Sequence, residues 1–114
     1  MLGILRDKDA ASILRVLLPL ADGVVVVTPT SPRALPAESL AAACRKVGGA
    51  EVALASSVGA AIDLARVEAG RDGAVVVSGS FATASEARTA LGLEEVVTSE
   101  ARRAWLRSNG LEGR

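Results

Sequence analysis

Val24-Val25-Val26-Val27-Thr28 is the stretch on which the fold turns. β-Branched side chains suit a pleated surface, and an unbroken apolar run has no face to leave in water. Such a strand is buried on both sides, as in the interior of a parallel sheet. Upstream, Ile13, Leu14, Leu17 and Leu18 fall on one helical face, and Pro19 with Ala21-Asp22-Gly23 ends that helix. Asp7 is placed to cap it, because a carboxylate accepts from free N–H groups at a helix start. Before the charged turn Arg6 to Asp9, Met1 to Leu5 reads as a strand.

Downstream, Pro29 to Leu35 is a loop, and Pro36 suits a first helical turn with Glu38 near its positive end. Leu40, Ala43, Cys44 and Val47 keep helical spacing until Gly48-Gly49 stops them. Glu51 to Ala55 is a weaker strand. Ser57 caps a helix carrying Val58, Ala61, Ile62 and Ala65, and Gly70 to Gly73 turns the chain. Ala74 to Ser78 reads as a fourth strand. Thr83 and Glu86 have capping-box spacing, which predicts a helix over Phe81 to Leu91, ended by Gly92. Glu94 to Thr98 is a candidate fifth strand, and Ser99 to Ser108 a helix with Trp105. Strands alternating with helices make βαβ units. The expected fold class is α/β, a mostly parallel Rossmann-like sheet with helices on both faces.

Composition removes whole classes of function. The chain has 114 residues, one domain's worth, and half of them are apolar, which excludes disorder as the main state. Lys plus Arg is 13 and Asp plus Glu is 13, so no basic footprint invites nucleic acid or an acidic membrane. No histidine is present, which excludes imidazole bases and His metal ligands. The single cysteine, Cys44, sits on an apolar helix face and reads as core. Its solitude excludes an internal disulfide, and a cytoplasmic setting is the default. The most apolar window, Ile13 to Thr28, is broken by Arg15, Pro19, Asp22 and Gly23, short of the roughly 18 apolar residues a membrane span needs.

Open parallel sheets bind ligands at the carboxyl ends of their strands. Here those loops are Arg6 to Asp9, Pro29 to Leu35, Ser56-Ser57 and Ser78 to Ser80. Arg6 or Lys8 suits a phosphate or carboxylate; the same cluster also reads as a solvated turn. Two prolines stiffen Thr28-Pro29-Thr30-Ser31-Pro32-Arg33, and a guanidinium held there matches a carboxylate in bidentate fashion; a solvated Arg33 on a shaped turn is the plain alternative. Ser78-Gly79-Ser80 precedes a helix N-terminus and can hold an anion, or serve only as a tight turn with Ser80 as cap. Neither a P-loop nor a dinucleotide fingerprint occurs, and lone Trp105 and Phe81 make no stacking platform for bases.

Three motifs in order carry a resemblance: Gly3-Ile4-Leu5-Arg6-Asp7-Lys8-Asp9, Ser31-Pro32-Arg33-Ala34, and Val77-Ser78-Gly79-Ser80 with Glu86-Ala87-Arg88. Together they resemble the C-terminal domain of the folylpolyglutamate synthase/dihydrofolate synthase branch of the Mur ligase family, over about Met1 to Leu91. That resemblance implies a ligase-type domain at 1–92 and a strand/helix extension of the same domain at 93–114. It implies an ATP- and Mg²⁺-dependent ligase that phosphorylates a folate or dihydropteroate carboxylate and couples it to the amine of glutamate. It further implies that Arg33, with Ser80 and Ser78, binds glutamate, and that Arg6, Lys8 and Asp9 face the nucleotide. No catalytic or metal-ligating residue is expected on this chain.

The partners implied are glutamate, folate, ATP and an N-terminal P-loop domain that this sequence lacks, along with the Asp-Gly-Ala-His-Asn-Pro linker. The chain alone is therefore expected to be inactive. Phe81-Ala82-Thr83-Ala84-Ser85 departs from the bulkier, glycine-containing family pattern after the Gly-Ser turn. The rival readings are the corresponding domain of a Mur-type peptidoglycan ligase and a non-catalytic α/β binding module.

Overall fold

A computed structural model describes residues 1–93 and 99–111. Four strands form one parallel sheet in the order β3-β2-β1-β4, with β1 at Leu2–Gly3, β2 at Gly23–Val26, β3 at Glu51–Leu54 and β4 at Ser78–Gly79. The helices are α1 (Ala10–Leu17, extended by a 3-10 turn at Leu18–Leu20), α2 (Ala37–Val47), α3 (Val58–Ala69), α4 (Phe81–Ala90) and α5 (Ser99–Ser108). The candidate fifth strand, Glu94 to Thr98, lies outside the described residues.

The valine run is the wall between two cores. Val24 and Val26 pack with Leu14, Leu18, Leu40, Ala41 and Cys44 under α1 and α2. Val25 and Val27 pack with Val58, Ala61, Ile62, Ala65 and Ala87 under α3 and α4. Period-two alternation in a strand apolar on every residue thus demands a helical layer on each face. Each fully buried Val, Leu or Ile side chain contributes about 1.5–3 kcal/mol in transfer free energy. The α3/α4 core, rich in alanine, has less to gain per residue than the leucine-rich α1/α2 core.

The first strand, read as Met1 to Leu5, is confined to Leu2–Gly3, and sequence and structure part at three further places. Asp9, not Asp7, caps α1: its carboxylate accepts from the Ser12 N–H (3.2 Å) and the Ser12 hydroxyl (2.6 Å). The capping-box reading of Thr83 and Glu86 also fails. Ser80 is the cap of α4, and its Oγ accepts from the Thr83 N–H at 3.1 Å. The fourth strand is Ser78–Gly79 instead of Ala74 to Ser78, because β4 pairs only with β1, which spans two residues. Val75 and Val77 still pack toward α3, while Val76 is 72 % exposed on the open face. The helix at Ser99–Ser108 agrees with the sequence reading, and Trp105 on it is 59 % exposed.

Because all strands are parallel, every strand-to-helix loop leaves from one rim of the sheet. Gly3 lets α4 come close to that rim. A Cβ there would lie 2.5 Å from Thr83 Oγ1.

Candidate functional site at the carboxyl rim

The Thr28 to Leu35 loop is fastened at several points, and the prolines are only part of the reason it holds shape. Thr28 Oγ1 accepts from the Ala37 N–H at 2.8 Å, supplying from a distance the cap that Pro36 cannot give α2. The Leu35 N–H donates to the Ile4 carbonyl at 2.8 Å, and the Arg6 N–H to the Arg33 carbonyl at 2.7 Å. Ala34 and Leu5 form an antiparallel bridge. The Arg6 guanidinium donates to the Pro32 carbonyl at 2.7 Å. Two neighbouring loops thus form one unit, and Arg33 is exposed on it.

Arg33 is 65 % exposed, and its Nη1 lies 3.5 Å from Asp7 Oδ2, itself 54 % exposed. An open pair of this kind contributes about 0.2–1 kcal/mol at most. A guanidinium has five N–H donors, so the long contact leaves Arg33 most of its donors for an incoming carboxylate. The Arg33 N–H donates to Ser31 Oγ at 3.2 Å, which fixes the backbone from which the side chain springs.

The residues read as nucleotide-facing divide. Arg6 turns its guanidinium back onto Pro32 and serves the loop. Asp9 is bound to Ser12, and that hydroxyl, followed by the Ser12 N–H, holds its carboxyl below the ordinary aspartate value. Lys8 is exposed on the rim, its backbone N–H bonded to the Leu5 carbonyl at 3.2 Å.

On the β4 side, the serine turn is occupied with its own structure. Thr83, fully buried, donates its hydroxyl to the Gly3 carbonyl at 2.9 Å. Its only proton is then spent, so in the 2.8 Å contact between the two hydroxyls Ser80 is the donor. Ser80 Oγ also accepts from the Thr83 N–H, and the Ser80 N–H donates to the Gly3 carbonyl at 2.9 Å. With its hydroxyl proton committed, Ser80 has none left for a ligand carboxylate in this arrangement. Ser78 is half-buried within β4, its N–H bonded to the Met1 carbonyl at 3.2 Å.

Sequence spacing missed the tie between the two sides. Both oxygens of Glu86, on α4, take hydrogens from Thr30: one from the backbone N–H, the other from the hydroxyl at 3.1 Å. The partners are 56 residues apart, beyond any local pattern. Beside the tie lies an open depression of about 490 Å³ lined by Thr30, Phe81, Ala82, Ser85 and Glu86, with Phe81 90 % exposed at its edge. The structure therefore brings Arg6, Asp7 and Arg33 together, keeps Ser80 and Ser78 in a separate β4 group, and joins the two through Thr30 and Glu86. Among the described residues, no cluster of three or more Asp, Glu or Cys side chains is arranged to hold a metal ion.

Comparison with known proteins gives a consistent set of likenesses. The family model for the glutamate ligase domain of Mur ligases matches residues 1–81. Dihydrofolate synthase/folylpolyglutamate synthase of Mycobacterium tuberculosis (strain ATCC 25618 / H37Rv) is 40 % identical over 106 residues, which cover 81 % of this chain and 22 % of that protein. The crystal structures of Mycobacterium tuberculosis folylpolyglutamate synthase complexed with ADP and AMPPCP include a chain that superposes with a TM-score of 0.73 at 40 % identity, covering 82 % of this chain and 23 % of that one. A second structure of that enzyme, complexed with ADP, gives 0.71 at 39 % identity and the same coverage. This chain spans less than a quarter of the length of the relatives it matches.

Proposed function

The chain belongs to the Mur ligase family through its glutamate ligase domain, and from that premise we propose that it is the amino-acid-holding domain of an ATP-dependent ligase that adds glutamate to a folate or dihydropteroate carboxylate. Residues 1–92 form the ligase-type domain in this reading, and 93–114 its extension. The folate branch is preferred to the peptidoglycan branch because of the 40 % identity to a dihydrofolate synthase/folylpolyglutamate synthase.

In the chemistry implied by the family, the acceptor carboxylate takes the γ-phosphoryl group of ATP, releasing ADP and giving an acyl phosphate; the amine of glutamate attacks the acyl carbon, phosphate leaves, and the amine gives up a proton. ATP is taken to sit chiefly on a P-loop domain that works with this one, with Lys8 presented toward it and Arg6 and Asp9 acting through the loop they shape. Without that domain the chain has no activity.

This chain's part is to hold the nucleophile. Arg33 binds the carboxylate of the incoming glutamate, leaving the amine free to face the activated acyl group. Orienting a nucleophile in this way removes much of the entropic barrier to a bimolecular step. Ser80 and Ser78 support the site by fixing the start of α4 and the edge of the sheet. The observation that carries the reading is Arg33 itself: an exposed guanidinium on a loop fastened at both ends, with one long contact to Asp7.

The test is Arg33→Ala in the full-length ligase. Loss of a charge-assisted bidentate pair is worth about 1.5–3 kcal/mol, or a rise in the glutamate KM of roughly 10- to 100-fold. The ATP KM should stay within about twofold. A glutamate KM that does not move would remove Arg33 from the site.

A further inference from the structure

We infer that Glu86 is a positioning residue for the amino-acid site: it sets the loop that carries Arg33 by gripping Thr30 from across the sheet. The inference rests on the reading that Arg33 takes the glutamate carboxylate, and it adds a residue to which that reading gives no role.

Thr30 stands three positions before Arg33, at the outer bend of the loop. At its far end the loop is held through the Arg6 side chain to Pro32, the Arg6 N–H to the Arg33 carbonyl, and Leu35 to Ile4. At its near end Pro29 is buried and Thr28 caps α2. Between these fastenings, Glu86 reaches across from the other helical layer, the one side chain among the described residues seen to hydrogen-bond this bend from there. It accepts two hydrogens from one residue, the backbone N–H and the hydroxyl of Thr30, with one carboxylate oxygen each. That two-point grip fixes rotation as well as distance.

Glu86 is itself well founded. It is half-buried, and the next residue, Ala87, is 3 % exposed in the core under α3 and α4. The start of α4 is pinned to the Gly3 carbonyl by the Ser80 N–H and the Thr83 hydroxyl. Movement of α4 is thereby passed to the Arg33 loop through one carboxylate. A sub-ångström to ångström shift in a positioning group is enough to cost an enzyme up to about a hundredfold.

The experiment uses the full-length ligase with Glu86→Ala, Glu86→Gln, Arg33→Ala and the double variant Glu86→Ala/Arg33→Ala. Two charge-assisted hydrogen bonds are lost in Glu86→Ala, so the glutamate KM should rise about tenfold while the ATP KM stays within about twofold. Glu86→Gln should recover most of the loss, because its amide oxygen still accepts the Thr30 N–H and its NH₂ can donate to the Thr30 hydroxyl. The double variant should be no worse than Arg33→Ala, since Glu86 acts through Arg33.

An unchanged glutamate KM in Glu86→Ala, in an enzyme where Arg33→Ala does raise it, overturns this inference and leaves the proposed function standing. Additive losses in the double variant also overturn it, by making Glu86 an independent contact. If Arg33→Ala itself has no effect, the underlying reading falls first. Should Glu86→Ala fold poorly, Thr30→Val removes only the hydroxyl contact, and a rise in the glutamate KM of at least twofold is required of it.

Discussion

Gly79→Ala is the substitution whose cost can be worked most directly from the coordinates. Gly79 has φ +119°, a backbone region that residues with a Cβ rarely enter. Occupying it with alanine costs about 1–3 kcal/mol. Space is lacking as well. The new Cβ would lie 2.1 Å from the Gly3 carbonyl oxygen and 2.9 Å from its carbon, backbone atoms that cannot rotate aside. Strand β4 would have to withdraw from β1, stretching the 2.9 Å bond from the Ser80 N–H to the Gly3 carbonyl, worth about 0.5–1.5 kcal/mol net. The total is about 2–4 kcal/mol, which for a domain near this size lowers the melting temperature by about 8–16 °C.

Gly92→Ala serves as the comparison. It also has positive φ, +69°, but nothing lies within 4 Å of its Cβ position. It should lose only the backbone term, about 1–2 kcal/mol. Urea and thermal unfolding of both variants, followed by far-UV circular dichroism, measure the difference. Equal losses in the two would refute the reasoning, because the steric part would then be nil and β4 could not approach β1 as closely as described.

Two further outcomes are expected. The Asp9 carboxyl is held below its ordinary value of 3.8, first by the Ser12 hydroxyl and then by the Ser12 N–H. A depressed folded-state value means that the stabilisation is in place above pH 3.8 and disappears as pH falls through the folded value. Asp9→Asn, which caps without titrating, should flatten the stability profile below about pH 4; a profile parallel to the parent's would count against the assignment. Cys44 is fully buried, and burial raises its thiol above the ordinary 9.0. A thiol reagent at pH 8 should label the chain promptly in guanidinium and hardly at all without it, whereas equal rates would contradict the packing described.

Much of the architecture was legible in the sequence, and the failures have physical causes. The valine run had to be an interior strand, since no other element hides four consecutive apolar side chains on two faces. Ser57 was readable as a cap because its partner, the Ala60 N–H, is local. The α1 cap was misread because Asp7 and Asp9 are both carboxylates before the same helix; the Ser12 hydroxyl, three residues after Asp9, was the signal that distinguishes them. Strand β4 was misread because Ala74 to Val77 has strand composition, while pairing depends on where a neighbour of two residues begins. At the site, Arg33 was visible through its flanking prolines, as a candidate. Ser80 was readable as a cap for the same local reason, but the bond from the Thr83 hydroxyl to the Gly3 carbonyl, which commits the Ser80 proton, and the grip of Glu86 on Thr30 depend on which residues tertiary packing makes adjacent.

The two unequal cores have a consequence for how such a site would fail. Arg33 belongs to the leucine-rich layer, while Glu86 and the serine turn belong to the alanine-rich one. Proteins open in cooperative pieces, and the piece with the smaller apolar reserve opens first. Mild heating would therefore loosen α3 and α4 while α1 and α2 stay folded, and the loop would lose its Glu86 anchor before the melting transition begins. Inactivation would run ahead of denaturation, with the early warning written in the amide of Thr30.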